Sequence, residues 1–156
     1  MATTGTRADR SEPAALAGHL RGAERVRVVS RADGDGLAAA AIFGDALATL
    51  GVPRHLSMAR TRNGAAPRVE AAGTALAPGF ADLGPACPGE STALWAFETA
   101  RELGADPDPG LALAGAVAAG APLQGAALEA VPQDSLKPRP GVTSPTTDVV
   151  EGLAYS

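Results

Sequence analysis

Asp33 and Asp35 stand two residues apart in the run Arg31-Ala32-Asp33-Gly34-Asp35-Gly36, directly after the apolar stretch Val26-Arg27-Val28-Val29-Ser30. Two carboxylates at this spacing in a glycine turn can converge on one point, where they repel each other unless a cation joins them. Hard, oxygen-preferring ions such as Mg²⁺ or Mn²⁺ suit that role. The plainer alternative is that Gly34 and Gly36 make a structural turn while Asp35 caps the following helix and favours its positive end. The same residues fit the shortened dinucleotide fingerprint, as Gly34-x-Gly36-x-x-Ala39. There, however, a pyrophosphate would lie against two carboxylates, and no acid ends the next strand to take a ribose. A second constellation is cationic. No acid occurs between Asp45 and Glu70, while Arg54, Arg60, Arg62, Arg68 and His55 fall in that interval. If His55 to Arg60 is a strand, Arg54 and Arg60 share a face at even spacing, and Arg62 continues the row if the strand continues. Such a row can contact phosphates; a charged row also protects an ordinary edge strand.

Several elements must position these groups. Ser11 offers an N-cap to a short helix whose first turn holds Glu12 and Pro13, with Leu16 and Leu20 on one face and Gly22 at its end. Val26–Ser30 reads as a strand, Leu37 to about Leu50 as a helix stopped by Gly51-Val52-Pro53, and His55 to about Arg60 as a second strand. Strand, tight turn, helix and strand make a βαβ unit with parallel pairing and a right-handed crossover. The turn then lies at the carboxyl end of a parallel strand, where open α/β sheets place their ligands. Residues 63–90 carry Gly, Ala and Pro without periodicity and read as a loop or a degraded strand pair. A helix from about Ser91 to Leu103, closed by Gly104, has a buried stripe of Ala93, Ala96, Phe97, Ala100 and Leu103. Two Ala-rich helices follow, near 110–119 and 123–130, and a Pro-rich tail runs from Pro132. The expected fold is therefore α/β: one domain over 11–156 behind a disordered tail of residues 1–10. Its parts are a βαβ core over 11–62, a loop-rich 63–90, a helical 91–131 and the tail 132–156.

Composition bounds what this domain can do. The chain has 156 residues, of which 36 are Ala, 19 Gly and 13 Pro, so its core must be thinly filled. Five aromatic residues are too few for a stacking platform that reads bases. Trp95 and Tyr155 read as packing residues, and His19 as part of the first helix. Cys87 is the single cysteine, which excludes an internal disulfide and a Cys-based zinc site and leaves it an inert thiol. The formal net charge is −4, but it is uneven: Arg residues dominate up to residue 68 and acids dominate after it. The first residues contain no apolar signal region. Residues 111–131 are uncharged until Glu129, but Pro122, Gln124 and the Ala/Gly content favour a buried or half-buried helical pair over a membrane span. A soluble, cytoplasmic protein is expected.

The segment Val-Arg-Val-Val-Ser-Arg-Ala-Asp-Gly-Asp-Gly-Leu-Ala-Ala-Ala-Ala-Ile, residues 26–42, resembles the first motif of the DHH phosphoesterase superfamily, in particular its RecJ-like exonucleases. That motif is a strand, His-x-Asp-x-Asp-Gly and an Ala-rich helix. The resemblance implies that Asp33 and Asp35 occupy the places of two manganese ligands and that Gly36 opens the helix. Arg31 stands where the family has a ligand His, and a guanidinium cannot coordinate a cation. The Asp-His-His that names the family is absent, and Asp82-Leu83-Gly84 only faintly matches its Asp-x-Gly motif. Two later stretches are similar to archaeal, notably haloarchaeal, RecJ-like proteins. One is Glu102-Leu103-Gly104-Ala105-Asp106-Pro107-Asp108-Pro109 with Leu111-Ala112-Leu113-Ala114-Gly115. The other is Arg139-Pro140-Gly141-Val142 with Pro145-Thr146, Asp148 and Gly152-Leu153-Ala154. Asp33-x-Asp35-Gly36-Leu37 also resembles the haloacid-dehalogenase phosphatases, but there the nucleophilic Asp directly follows the strand, and here Ser30-Arg31-Ala32 intervene.

RecJ-like proteins are much longer, so the resemblance implies a partial DHH-type domain matching the N-terminal part of one. The superfamily includes members without metal ligands that act in replication, bind the GINS complex and the replicative helicase, and hold single-stranded DNA uncut. Arg31 and the missing Asp-His-His place this chain nearer that group. The expected function is thus a degenerate RecJ-like protein of DNA replication or repair that binds single-stranded DNA or a GINS-type partner. Arg31, Arg54, Arg60 and Arg62 are its expected nucleic-acid contacts. The alternative is a Mn²⁺- or Mg²⁺-dependent single-strand exonuclease using Asp33 and Asp35; a decayed fragment without activity is a third reading.

Overall fold

The structure, a computed structural model, describes residues 12–59, 74–76 and 91–136. In chain order these form α1 (Pro13–Arg21), β1 (Val26–Arg31), α2 (Gly34–Thr49), β2 (Arg54–Ala59), β3 (Thr74–Leu76), α3 (Thr92–Glu102), α4 (Pro109–Ala119), α5 (Ala126–Ala130) and a 3₁₀ turn, Gln133–Ser135. The fold is mixed α/β with a parallel sheet, as the alternation of strand and helix patterns requires.

β1 is the middle strand of the order β2-β1-β3 and pairs in parallel with both neighbours. Its register sets Val26 opposite Arg54, Val28 opposite Leu56 and Ser30 opposite Met58. Val26 and Val28 are fully buried and belong to the main apolar core. α2 lies on that side, where its Gly44 sits under the Leu56 side chain. β3 falls inside the span 63–90, where the sequence shows no periodicity. Three residues are too few to show a period of two, and their partner strand is remote in sequence.

α2 is the centre of the helical layer, packed against the sheet, α3 and α4. Its buried residues include Ala38, Ala39, Ala40, Ile42, Phe43, Gly44, Ala46 and Leu47. A helix buried on most sides cannot be strongly amphipathic, which is why its sequence reads as almost uniformly apolar. The helix begins at Gly34 rather than Leu37, because Asp33 takes the N-cap and the Gly-Asp-Gly run forms its first turn. The other limits shift little: the N-cap position of α1 is Glu12, whose side chain makes no capping bond, with Ser11 outside the described residues, and α5 is shorter than the 123–130 expected.

The expected stripe on α3 is buried in full, with Trp95 added to it. Trp95 meets Phe43 edge-on, with ring centroids 5.7 Å apart at 70°. Trp95 is therefore a packing residue, in keeping with its position on the helix. The other side chains filling this core are Phe97, Leu16, Leu20 and Leu47. Elsewhere the helices approach through small residues. A Cβ on Gly115 of α4 would stand 2.4 Å from the Cβ of Ala93 in α3 and 2.9 Å from that of Ala38 in α2. Dense Ala and Gly thus build a close three-helix junction rather than a loose core. No helix among the described residues is long and apolar enough to cross a membrane; residues 111–131 divide into α4, a connection and α5.

Two glycine-to-alanine changes should separate helix propensity from packing. Gly18→Ala, in α1 with nothing within 4 Å of the added carbon, should stabilise the fold by about 0.5–1 kcal/mol in urea unfolding. Gly115→Ala gains the same propensity but overpacks the junction, and should be net destabilising by about 1–2 kcal/mol.

Candidate functional site

The turn between β1 and α2 lies at the carboxyl end of the middle parallel strand, as expected of a ligand site in an open sheet. Ser30, fully buried, donates its hydroxyl to the Gly36 carbonyl and ties the strand end to the first turn of α2. That tie requires a glycine: a Cβ at position 36 would stand 2.3 Å from the Arg31 carbonyl oxygen and 2.9 Å from Ser30 Oγ. Gly36 therefore serves a close backbone approach within the chain.

Asp33 is half-buried and caps α2, its Oδ1 accepting the Gly36 N–H at 2.8 Å. Its Oδ2 is paired with the Arg31 guanidinium. Both side chains are partly solvated, at 51% exposure for Arg31 and 37% for Asp33, so the ion pair contributes no more than about 1 kcal/mol. The capping role that the turn suggested for Asp35 belongs to Asp33.

Asp35 does something the sequence did not disclose. Its carboxylate is buried and spans from the first turn of α2 to the N-terminus of α3. Oδ1 accepts the Ser91 hydroxyl at 2.8 Å and the Ala93 N–H at 2.9 Å; Oδ2 accepts the Thr92 N–H at 2.7 Å. Ser91 is itself the N-cap of α3 and accepts the Leu94 N–H. One carboxylate thus lies at the positive ends of two helices and takes two of the N–H groups that a helix start leaves without intrahelical partners. Gly115 passes over it, with the place of its missing Cβ only 3.3 Å from Oδ1.

The resemblance implies a pair of metal ions here, and the donor set does not fit them. A cation needs free carboxylate lone pairs, whereas Asp35 is surrounded by N–H and O–H hydrogens and Asp33 already carries a guanidinium. Two-metal hydrolysis also needs several acids or imidazoles around ions about 3.5–4 Å apart. Among the described residues, no group of three or more His, Cys, Asp or Glu side chains could hold a metal ion.

The cationic row is only partly placed. Arg60, Arg62 and Arg68 lie outside the described residues, as do Cys87, Tyr155 and the Asp82-Leu83-Gly84 motif. Arg54 is exposed at the first residue of β2, opposite Val26, whereas Arg31 ends β1 opposite Ala59. Five residue steps, about 17 Å of strand, separate the two levels. Arg31 and Arg54 therefore stand at opposite ends of the sheet and do not form one patch. A separate cleft of about 490 Å³, lined by Glu12, Glu98, Arg101 and Glu102 among others, opens between α1, α3 and α5. Its excess of carboxylates is unsuited to a phosphate backbone.

No family profile matches the chain, and no solved structure matches it. An uncharacterized protein of Haloarcula marismortui, rrnAC1427, is similar, with 42% identity over 147 residues that cover 94% of this chain and 38% of that protein. The chain thus spans under two fifths of that relative's length.

The two aspartates should differ sharply in what they stabilise. Asp35→Ala leaves two buried N–H groups and a hydroxyl without acceptors and should cost about 3–5 kcal/mol in urea unfolding. Asp33→Ala removes a single N-cap and should cost about 1 kcal/mol. Equal, small effects at both positions would contradict this assignment.

Proposed function

We propose that the chain is a DHH-type, RecJ-like domain that has exchanged metal chemistry for structure and holds single-stranded DNA without cutting it. The observation that carries this reading is the occupancy of the two motif carboxylates. Asp33 and Asp35 sit where the motif wants metal ligands, after the middle parallel strand, yet each is engaged by hydrogen-bond donors of the chain itself. Arg31 supports the same reading, because a permanent positive charge at that place opposes a cation. Binding to DNA is supported by the resemblance and by exposed cations along β1 and β2, which suit phosphates. A phosphate-only contact needs no aromatic platform, in keeping with so few aromatic residues. A role in replication or repair follows from the resemblance, and a GINS-type protein partner is the alternative to DNA.

Fluorescence anisotropy of an end-labelled single-stranded oligonucleotide, followed over time with and without Mn²⁺ at two salt concentrations, tests this reading. The expected trace is a stable rise, smaller at higher salt and indifferent to Mn²⁺. Asp33→Ala should leave that rise nearly unchanged. A rise that decays only with Mn²⁺ would instead establish a nuclease, and Asp33→Ala would then abolish the decay. A flat trace in every condition would reject DNA binding and favour a protein partner.

A further inference from the structure

We draw no further inference here: the strongest candidate, the apolar surface that Leu37 of α2 and Val117 of α4 expose on two helices that pack together, carries nothing, because no feature among the described residues shows what covers it.

Discussion

A single buried carboxylate organises this molecule. Asp35 begins in the first turn of α2 and ends in the N-terminal turn of α3, where three donors from consecutive residues converge on its two oxygens. Taking an ion out of water is expensive, and the cost is offset only when donors and oriented dipoles replace the lost hydration. Here the replacement is the start of a helix 56 residues farther along the chain. That contact closes a long loop and brings α3 and α4 onto α2, so the helical layer on one side of the sheet depends on it. The small residues around it serve the same end. Gly115 and Ala93 let the helices close over the carboxylate, which larger side chains would prevent by steric overlap.

The same interaction bears on chemistry. A carboxylate can hold a cation or accept a ring of N–H and O–H donors, but the two demand opposite charges around it. At the end of β1 the partners of the two carboxylates are all donors: backbone N–H groups at two helix N-termini, the Ser91 hydroxyl and the Arg31 guanidinium. An imidazole in place of Arg31 can give up its proton and join a metal centre; a guanidinium cannot. The site that carries the family-like motif thus has the architecture of a joint.

Much of this was legible in the chain. The apolar run at Val26–Ser30, the Gly-Asp-Gly turn and the Ala-rich helix behind it each obey local rules of burial, turn geometry and helix propensity. Strand, helix and strand therefore emerge in order, and parallel pairing follows because a helix separates the strands. The stripe on α3 was legible for the same reason, since a period of 3.6 over three turns is a local signal. β3 was not. It is short, Gly73 precedes it and Ala77-Pro78 follow it, and only hydrogen bonding to β1 makes it a strand.

The two aspartates mark the boundary most clearly. From sequence, Asp33 and Asp35 are a pair: same type, two apart, in one turn. Their chemistry as acids, their place after a strand and the misfit of Arg31 with a cation are all determined by residue identity and spacing. That they serve different helices was decided by tertiary structure alone. Asp33 bonds to a backbone N–H three residues on, so local geometry governs it. The partners of Asp35 are separated from it by more than fifty residues. Nothing in the spacing of a turn encodes a donor that arrives only when α3 packs against α2, because a hydrogen bond depends on positions in space and a sequence pattern records only positions along the chain.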